Sequence, residues 1–205
     1  LKKAFAVIYM CDSSTDGKEL GNETVLRIQE AAKVIFSEKE KKCQWNILLG
    51  AGTQPRKLNA PQAKELMGLY IKNLLLENGY EAVYNKPFSP NCISFEKEGA
   101  KDIRTYLAEQ EAWGTFWETW VILKTCGISL LHERLVVFSS SYHLPRIRYI
   151  WSFFYDFKIA ECYSCELANP SPYLEWLRYI KVFILGELMF LGFFNQIQKP
   201  SHQEE

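Results

Sequence analysis

One segment constrains this chain more than any other: an apolar β-branched run that stops at three serines and restarts as a helix. It reads Leu135-Val136-Val137-Phe138-Ser139-Ser140-Ser141-Tyr142-His143-Leu144-Pro145-Arg146. A short apolar run of this type is a buried strand, and a proline suits the first turn of a helix. Strand, polar turn and helix in succession belong to α/β folds, whose ligands sit beyond the carboxyl ends of parallel strands. Hydroxyls and the free N–H groups of a helix start can hold an anion. His143 and Arg146 are three residues apart and share one side of a helix. The imidazole can exchange a proton near neutral pH, and the guanidinium can clamp a carboxylate or phosphate. A plainer reading fits the same residues: Ser139, Ser140 and Ser141 as a helix cap, His143 at the core edge, and Arg146 as a solvated charge.

The rest of the chain repeats the alternation. Ala4 to Met10 reads as a strand, followed by the polar turn Cys11-Asp12-Ser13-Ser14-Thr15-Asp16-Gly17. A helix follows from Asn22, its candidate cap, with Val25, Ile28, Ala31, Ala32, Ile35 and Phe36 at helical spacing. Trp45 to Leu49 is a second strand, ending in Gly50-Ala51-Gly52-Thr53-Gln54. A helix from near Pro61 carries Leu66, Met67, Tyr70, Ile71 and Leu74, and Gly79 closes it. Glu81 to Tyr84 is a candidate strand, residues 85–95 read as a loop, and Phe95 to Gln110 reads as a charged helix. Thr115 to Cys126 is a further helix, Arg134 to Phe138 a strand, His143 to Phe154 a helix, and Ile159 to Tyr163 a last strand. The expectation is an α/β fold: a Rossmann-like open parallel sheet with helices on both faces, three layers, and a C-terminal apolar helix. Residues 1–169 form the α/β domain, and 170–205 a helix and tail on the same domain.

Composition narrows the function. Among 205 residues, Lys plus Arg and Asp plus Glu are 24 each, so the basic excess of a nucleic-acid binder is missing. The six cysteines are scattered and do not resemble a secreted disulfide framework. Cys162-Tyr-Ser-Cys165 has no second pair and no nearby histidine, which favours a structural role over a metal or redox site. No metal site is expected, and the start of the chain does not read as a signal peptide. Val182 to Phe194 is strongly apolar but short for a bilayer span and interrupted by Glu187. It packs on the domain or forms a surface that touches a membrane or a partner.

Three further groups carry candidate chemistry. Gly50, Gly52 and Thr53 let backbone approach a ligand and offer N–H donors, without matching a dinucleotide or Walker fingerprint. Asp12 stands among hydroxyls at the first turn and suits a hydroxylated ligand, a hard cation or an Asx turn. Thr115 with Glu118 three residues on forms a capping box, and Glu109 lies just upstream.

Taken in order, these segments resemble the SanA/YdcF/ElyC family. The resemblance rests on Arg27-x-x-x-Ala31-Ala32, on Ile47-Leu48-Leu49-Gly50-Ala51-Gly52, and on Gln62-Ala63 with Met67, Tyr70 and Gly79. Glu109 with Thr115-Phe116-Trp117-Glu118-Thr119-Trp120 adds to it, and Val136 to Arg146 carries it most strongly. It spans roughly residues 4 to 165. The chain departs from the family at its first turn, where Cys11-Asp12-Ser13-Ser14 stands in place of a glycine-rich turn, and in Gly-Ala-Gly where the family has Ser-Gly-Gly. It departs also in Gln62 and Glu118, and in a longer stretch from Gly79 to Glu109.

The resemblance implies a Rossmann-like domain with a strand-end cleft. It also implies a nucleotide-type ligand such as S-adenosylmethionine, or a role in bacterial envelope polysaccharide or lipid-carrier metabolism. The site expectation is an anionic small molecule held by Asp12, Arg27, Gly50, Gly52, Thr53, Thr115, Ser139, Ser140, Ser141 and Arg146. His143 is the acid–base group, with Glu109 or Glu118 as its carboxylate. Cytoplasmic or inner-membrane-associated location follows from the same likeness. Two rival readings are a non-catalytic nucleotide or S-adenosylmethionine module, and an envelope protein acting through its apolar C-terminal helix.

Overall fold

A computed structural model of the chain describes residues 3–9, 18–37, 43–50, 63–83, 92–98, 102–107, 115–126, 134–152 and 159–164. It also describes helical residues at 173, 176–181 and 183–184. The elements are β1 (Lys3–Ile8), α1 (Asn22–Phe36), β2 (Gln44–Leu49), α2 (Ala63–Glu77), β3 (Glu81–Val83) and β4 (Cys92–Glu96). They continue with β5 (Ile103–Leu107), α3 (Thr115–Cys126), β6 (Arg134–Ser139), α4 (Leu144–Ser152) and β7 (Ile159–Ser164).

The strands form one sheet in the order β3-β4-β5-β2-β1-β6-β7. β1 pairs in parallel with β2 and β6, β2 with β5, and β6 with β7. β1, β2 and β6 are buried over their last five residues, which is why they read as unbroken apolar runs. Alternate residues feed two cores. Ala4, Ala6, Ile8, Ile47, Leu49, Val136 and Phe138 meet Ile28, Ala31 and Ile35 of α1 and Met67, Ile71 and Leu75 of α2. Phe5, Val7, Leu48, Leu135 and Val137 meet Ile122 of α3 and Leu144, Ile147 and Trp151 of α4. The architecture is therefore α/β, with α1 and α2 on one face and α3 and α4 on the other. Each buried α2 side chain contributes about 1.5–3 kcal/mol of burial. Met67, Ile71 and Leu75 recur every fourth residue, so one face carries them all. α2 ends in a Schellman closure: Gly79 N–H donates to Leu76 O at 3.0 Å and Tyr80 N–H to Leu75 O at 3.0 Å. Gly79 has φ 79°, which glycine adopts without a Cβ penalty.

Three local expectations need correction. The charged helix expected from Phe95 to Gln110 is replaced by β4 and β5, a connected antiparallel pair, and β4 also takes over the end of the loop expected at 85–95. Phe95, Ile103 and Thr105 are buried in a sheet pairing, and Arg104 alternates between the last two. That period of two suits a strand; the charged residues Glu96, Lys97, Glu98 and Asp102 are exposed and border the connection. The sheet is accordingly not all parallel, because β4 runs against both β3 and β5. The α1 N-cap is Gly21, without a side-chain capping bond, so Asn22 lies inside the helix.

Among the described residues, no helix is long and apolar enough to cross a membrane. The C-terminal helical residues touch α4 through Tyr149, whose ring lies 5.4 Å from Tyr179 and 5.7 Å from Phe183, centroid to centroid. The expected apolar stretch beyond residue 184 lies outside the described residues, as does the expected cysteine pair's Cys165.

Candidate functional site

The sheet order places a crevice at β1 and β6. After β1 the chain crosses through α1 toward β2; after β6 it crosses through α4 toward β7, on the opposite face. Connections that leave neighbouring strands in opposite directions open a gap at the strand ends, where ligands of such sheets bind.

His143 stands in that gap. It is the residue before α4: its carbonyl accepts the first helical bond, from Ile147 N–H at 3.1 Å, and its own N–H donates to Ser140 O at 2.9 Å. Its ring does not face solvent but bridges two hydroxyls. Nδ1 lies 2.9 Å from Ser139 Oγ and Nε2 lies 3.0 Å from Thr115 Oγ1. Burial holds the imidazole well below its usual pKa, and the guanidinium charges of Arg146, Arg27 and Arg178 push in the same direction. A neutral imidazole has one donor and one acceptor nitrogen. One hydroxyl therefore donates into the ring while the other accepts from it, which is the arrangement a proton relay requires.

A second cluster locks the next serine. Ser140 Oγ accepts from Arg27 Nη2 at 2.6 Å and Nε at 3.2 Å, and donates to Glu23 Oε1. Arg27 also donates to Glu23 Oε1 and to Tyr9 O, at 3.0 and 2.8 Å, and Tyr142 OH donates to the same carboxylate at 2.9 Å. Arg27 and Ser140 are fully buried and Glu23 nearly so. The pair is four residues apart on α1, so one helix face delivers both charges to the β6 turn. Arg27 thus ties the end of β1 to the start of the β6–α4 turn.

A third chain sets Thr115. Trp151 Nε1 can only donate, and it points at Tyr9 OH at 2.9 Å. Thr119 Oγ1 donates to Thr115 O at 2.8 Å, so Tyr9 OH donates to Thr119 Oγ1 at 2.6 Å. The sequence Trp151, Tyr9, Thr119, Thr115 fastens α3 to β1 and α4. Burial raises the Tyr9 pKa, the Thr119 bond opposes that, and the Glu118 carboxylate adds to the rise, so the phenol stays protonated and able to donate.

Glu118 reaches β2. A Cβ added to Gly50 would lie 1.8 Å from Glu118 Oε1, so the carboxylate rests on the glycine's α-carbon. Gly50 N–H donates to Ile8 O at 3.0 Å, which puts this contact beside the end of β1. A capping role alone does not account for Thr115 and Glu118, since both side chains turn toward the strand ends.

The structure therefore brings Arg27, Gly50, Thr115, Glu118, Ser139, Ser140, His143 and Arg146 to one end of the sheet. Ser141 is a half-buried turn residue beside them. Asp12, Gly52, Thr53 and Glu109 lie outside the described residues. Sequence reasoning missed Tyr9, Glu23, Thr119, Tyr142 and Trp151. Only Glu23 left a readable trace, its i,i+4 spacing to Arg27. Among the described residues no cluster of three His, Cys, Asp or Glu side chains could hold a metal ion. A separate groove of about 310 Å³ lies between α1 and α2, lined by Leu20, Val25, Leu66, Leu69 and Tyr70 among others, and shares no residue with this cluster.

Comparison with known proteins finds no matching family model, no matching curated protein and no matching solved structure.

Proposed function

We propose that this protein binds an anionic small molecule, of nucleotide or phosphate type, at the ends of β1, β2 and β6, and that His143 exchanges a proton with it through Thr115. The observation that carries the reading is the buried imidazole bridging Ser139 and Thr115, its pKa lowered first by burial and then by the charges of Arg146, Arg27 and Arg178. Hydroxyls on both nitrogens satisfy a buried imidazole whatever its role, and the guanidinium charges that act on the ring are what favour an anion beside it. Thr115 is the half-buried end of the bridge, whereas Ser139 is fully buried, so Thr115 is the end a ligand can reach. Arg146 attracts the anion; Arg27, with its bonds to Ser140, Tyr9 and Glu23, holds the turn that presents the imidazole. The reading agrees with the likeness to the SanA/YdcF/ElyC family, which we propose as the chain's kin, and with S-adenosylmethionine or a phosphorylated envelope intermediate as ligand class.

The test is thermal stabilisation by nucleotides, S-adenosylmethionine, sugar phosphates and polyprenyl-phosphate analogues, read on wild type, Arg146→Gln and His143→Gln. A ligand at a hundred times its Kd adds about 2.7 kcal/mol. For a chain of this size that is a rise of about 5–11 °C. The expected pattern is a rise in wild type, a smaller one in Arg146→Gln, and binding without turnover in His143→Gln. Binding that survives both substitutions unchanged places the ligand elsewhere and refutes the proposal, as does a flat panel.

A further inference from the structure

The C-terminal helical residues carry their apolar face outward. Tyr173, Trp176, Leu177 and Ile184 are exposed, with Ile180 half-buried between them. Positions 173, 176, 177, 180 and 184 follow the three-and-four spacing of a single helical stripe. The opposite arrangement is normal for a helix packed on a domain, whose apolar stripe points inward. Here Tyr179 and Phe183, themselves 36% and 47% exposed, touch Tyr149 only from the edge. Trp176 is 60% exposed and Tyr173 65%, far more than a core helix would leave in water.

Charge identifies the occupant. Arg178 and Lys181 are exposed and three residues apart, so they share one flank of the stripe. From Tyr173 to Ile184 the sequence holds these two cations against one anion, Glu175, in a chain whose net charge is zero. Trp and Tyr are the side chains that settle at a membrane–water boundary, because the ring is apolar and its polar tip stays wet. Lys and Arg beside them lay their stems on the apolar surface and hold the charge at headgroup level. We infer that this face seats in the headgroup layer of an anionic bilayer, lying along the surface and not spanning it.

The experiment is flotation of the full chain with vesicles of phosphatidylcholine alone and of phosphatidylcholine doped with phosphatidylglycerol. The doped vesicles should carry the protein upward, the neutral ones far less, and added salt should weaken the binding. Lys181→Gln should lower partitioning about five-fold, the usual effect of one cation near an anionic surface. Trp176→Ala should lower it further, and the blue shift of tryptophan emission on binding should be larger in wild type than in Trp176→Ala. His143→Gln should partition like wild type, which separates this inference from the ligand reading. No flotation with doped vesicles overturns it, as does flotation indifferent to both substitutions. So does a concentration-dependent dimer that Trp176→Ala breaks in the absence of vesicle binding.

Discussion

Gly50 offers the sharpest test of the site's geometry. Real side chains keep a Cβ at least 3.0 Å from its neighbours, and an alanine here would stand 1.8 Å from Glu118 Oε1 and 2.7 Å from its carboxyl carbon. The first overlap is about 1.2 Å (3.0 less 1.8), too large for a close-packed interior to absorb without moving a side chain. Glu118 is 4% exposed, so its carboxylate must move within a packed environment. Overpacking of this kind costs about 1–3 kcal/mol. For a chain of this length that is a fall of about 2–12 °C in Tm. Gly50 has no positive φ, so alanine brings no backbone strain and, by restricting the unfolded chain, stabilises by about 0.4–1 kcal/mol once space is available. Glu118→Ala supplies that space, because all three close contacts come from the glutamate beyond its Cβ. Gly50→Ala should therefore destabilise wild type and be neutral or stabilising in the Glu118→Ala background. Urea unfolding of the four proteins at neutral pH measures the difference, expected at about 1–4 kcal/mol of coupling. Equal costs in both backgrounds, within about 0.5 kcal/mol, refute the contact between α3 and the end of β2.

Two other outcomes test the clusters around it. His143 has a folded pKa well below its unfolded value, so between the two the unfolded chain binds a proton that the native protein does not. Stability from this group is present above the unfolded pKa and is lost as pH falls toward the folded one, by up to about 1.4 kcal/mol per pH unit. The stability difference between wild type and His143→Gln should shrink accordingly from pH 7 to pH 5; a constant difference shows that the imidazole is not buried neutral. Arg27→Met leaves Glu23 buried without its guanidinium and should cost about 3–5 kcal/mol by urea unfolding. Glu23→Gln in addition should recover part of that loss, and no recovery would mean that the ion pair is not the reason Arg27 is buried.

Much of the architecture was legible because burial on both faces leaves an unbroken apolar run. β1, β2 and β6 and the helices after them show in the sequence for that reason, and α2 announces its end with Gly79. The hairpin of β4 and β5 was hidden, since charged residues cluster at its connection and only five residues of each strand alternate. Charge density there imitates a solvated helix; the period of two emerges only when a neighbouring strand fixes which side is inside.

The candidate site divides in the same way. His143, Arg146 and the serines are contiguous, so a strand, a turn and a helix start are enough to mark them. Thr115 and Glu118 are near each other in sequence but read equally well as a capping box, and nothing local sends them toward His143 or Gly50. Local chemistry alone determined the alternation of strands and helices and the polar turn after β6, because backbone propensity and burial period act over a few residues. Tertiary structure alone decided that Thr115 meets His143 across 28 residues, Tyr9 meets Trp151 across 142, and Arg27 meets Ser140 across 113. Those contacts depend on strand order, and strand order is set by which distant faces bury together.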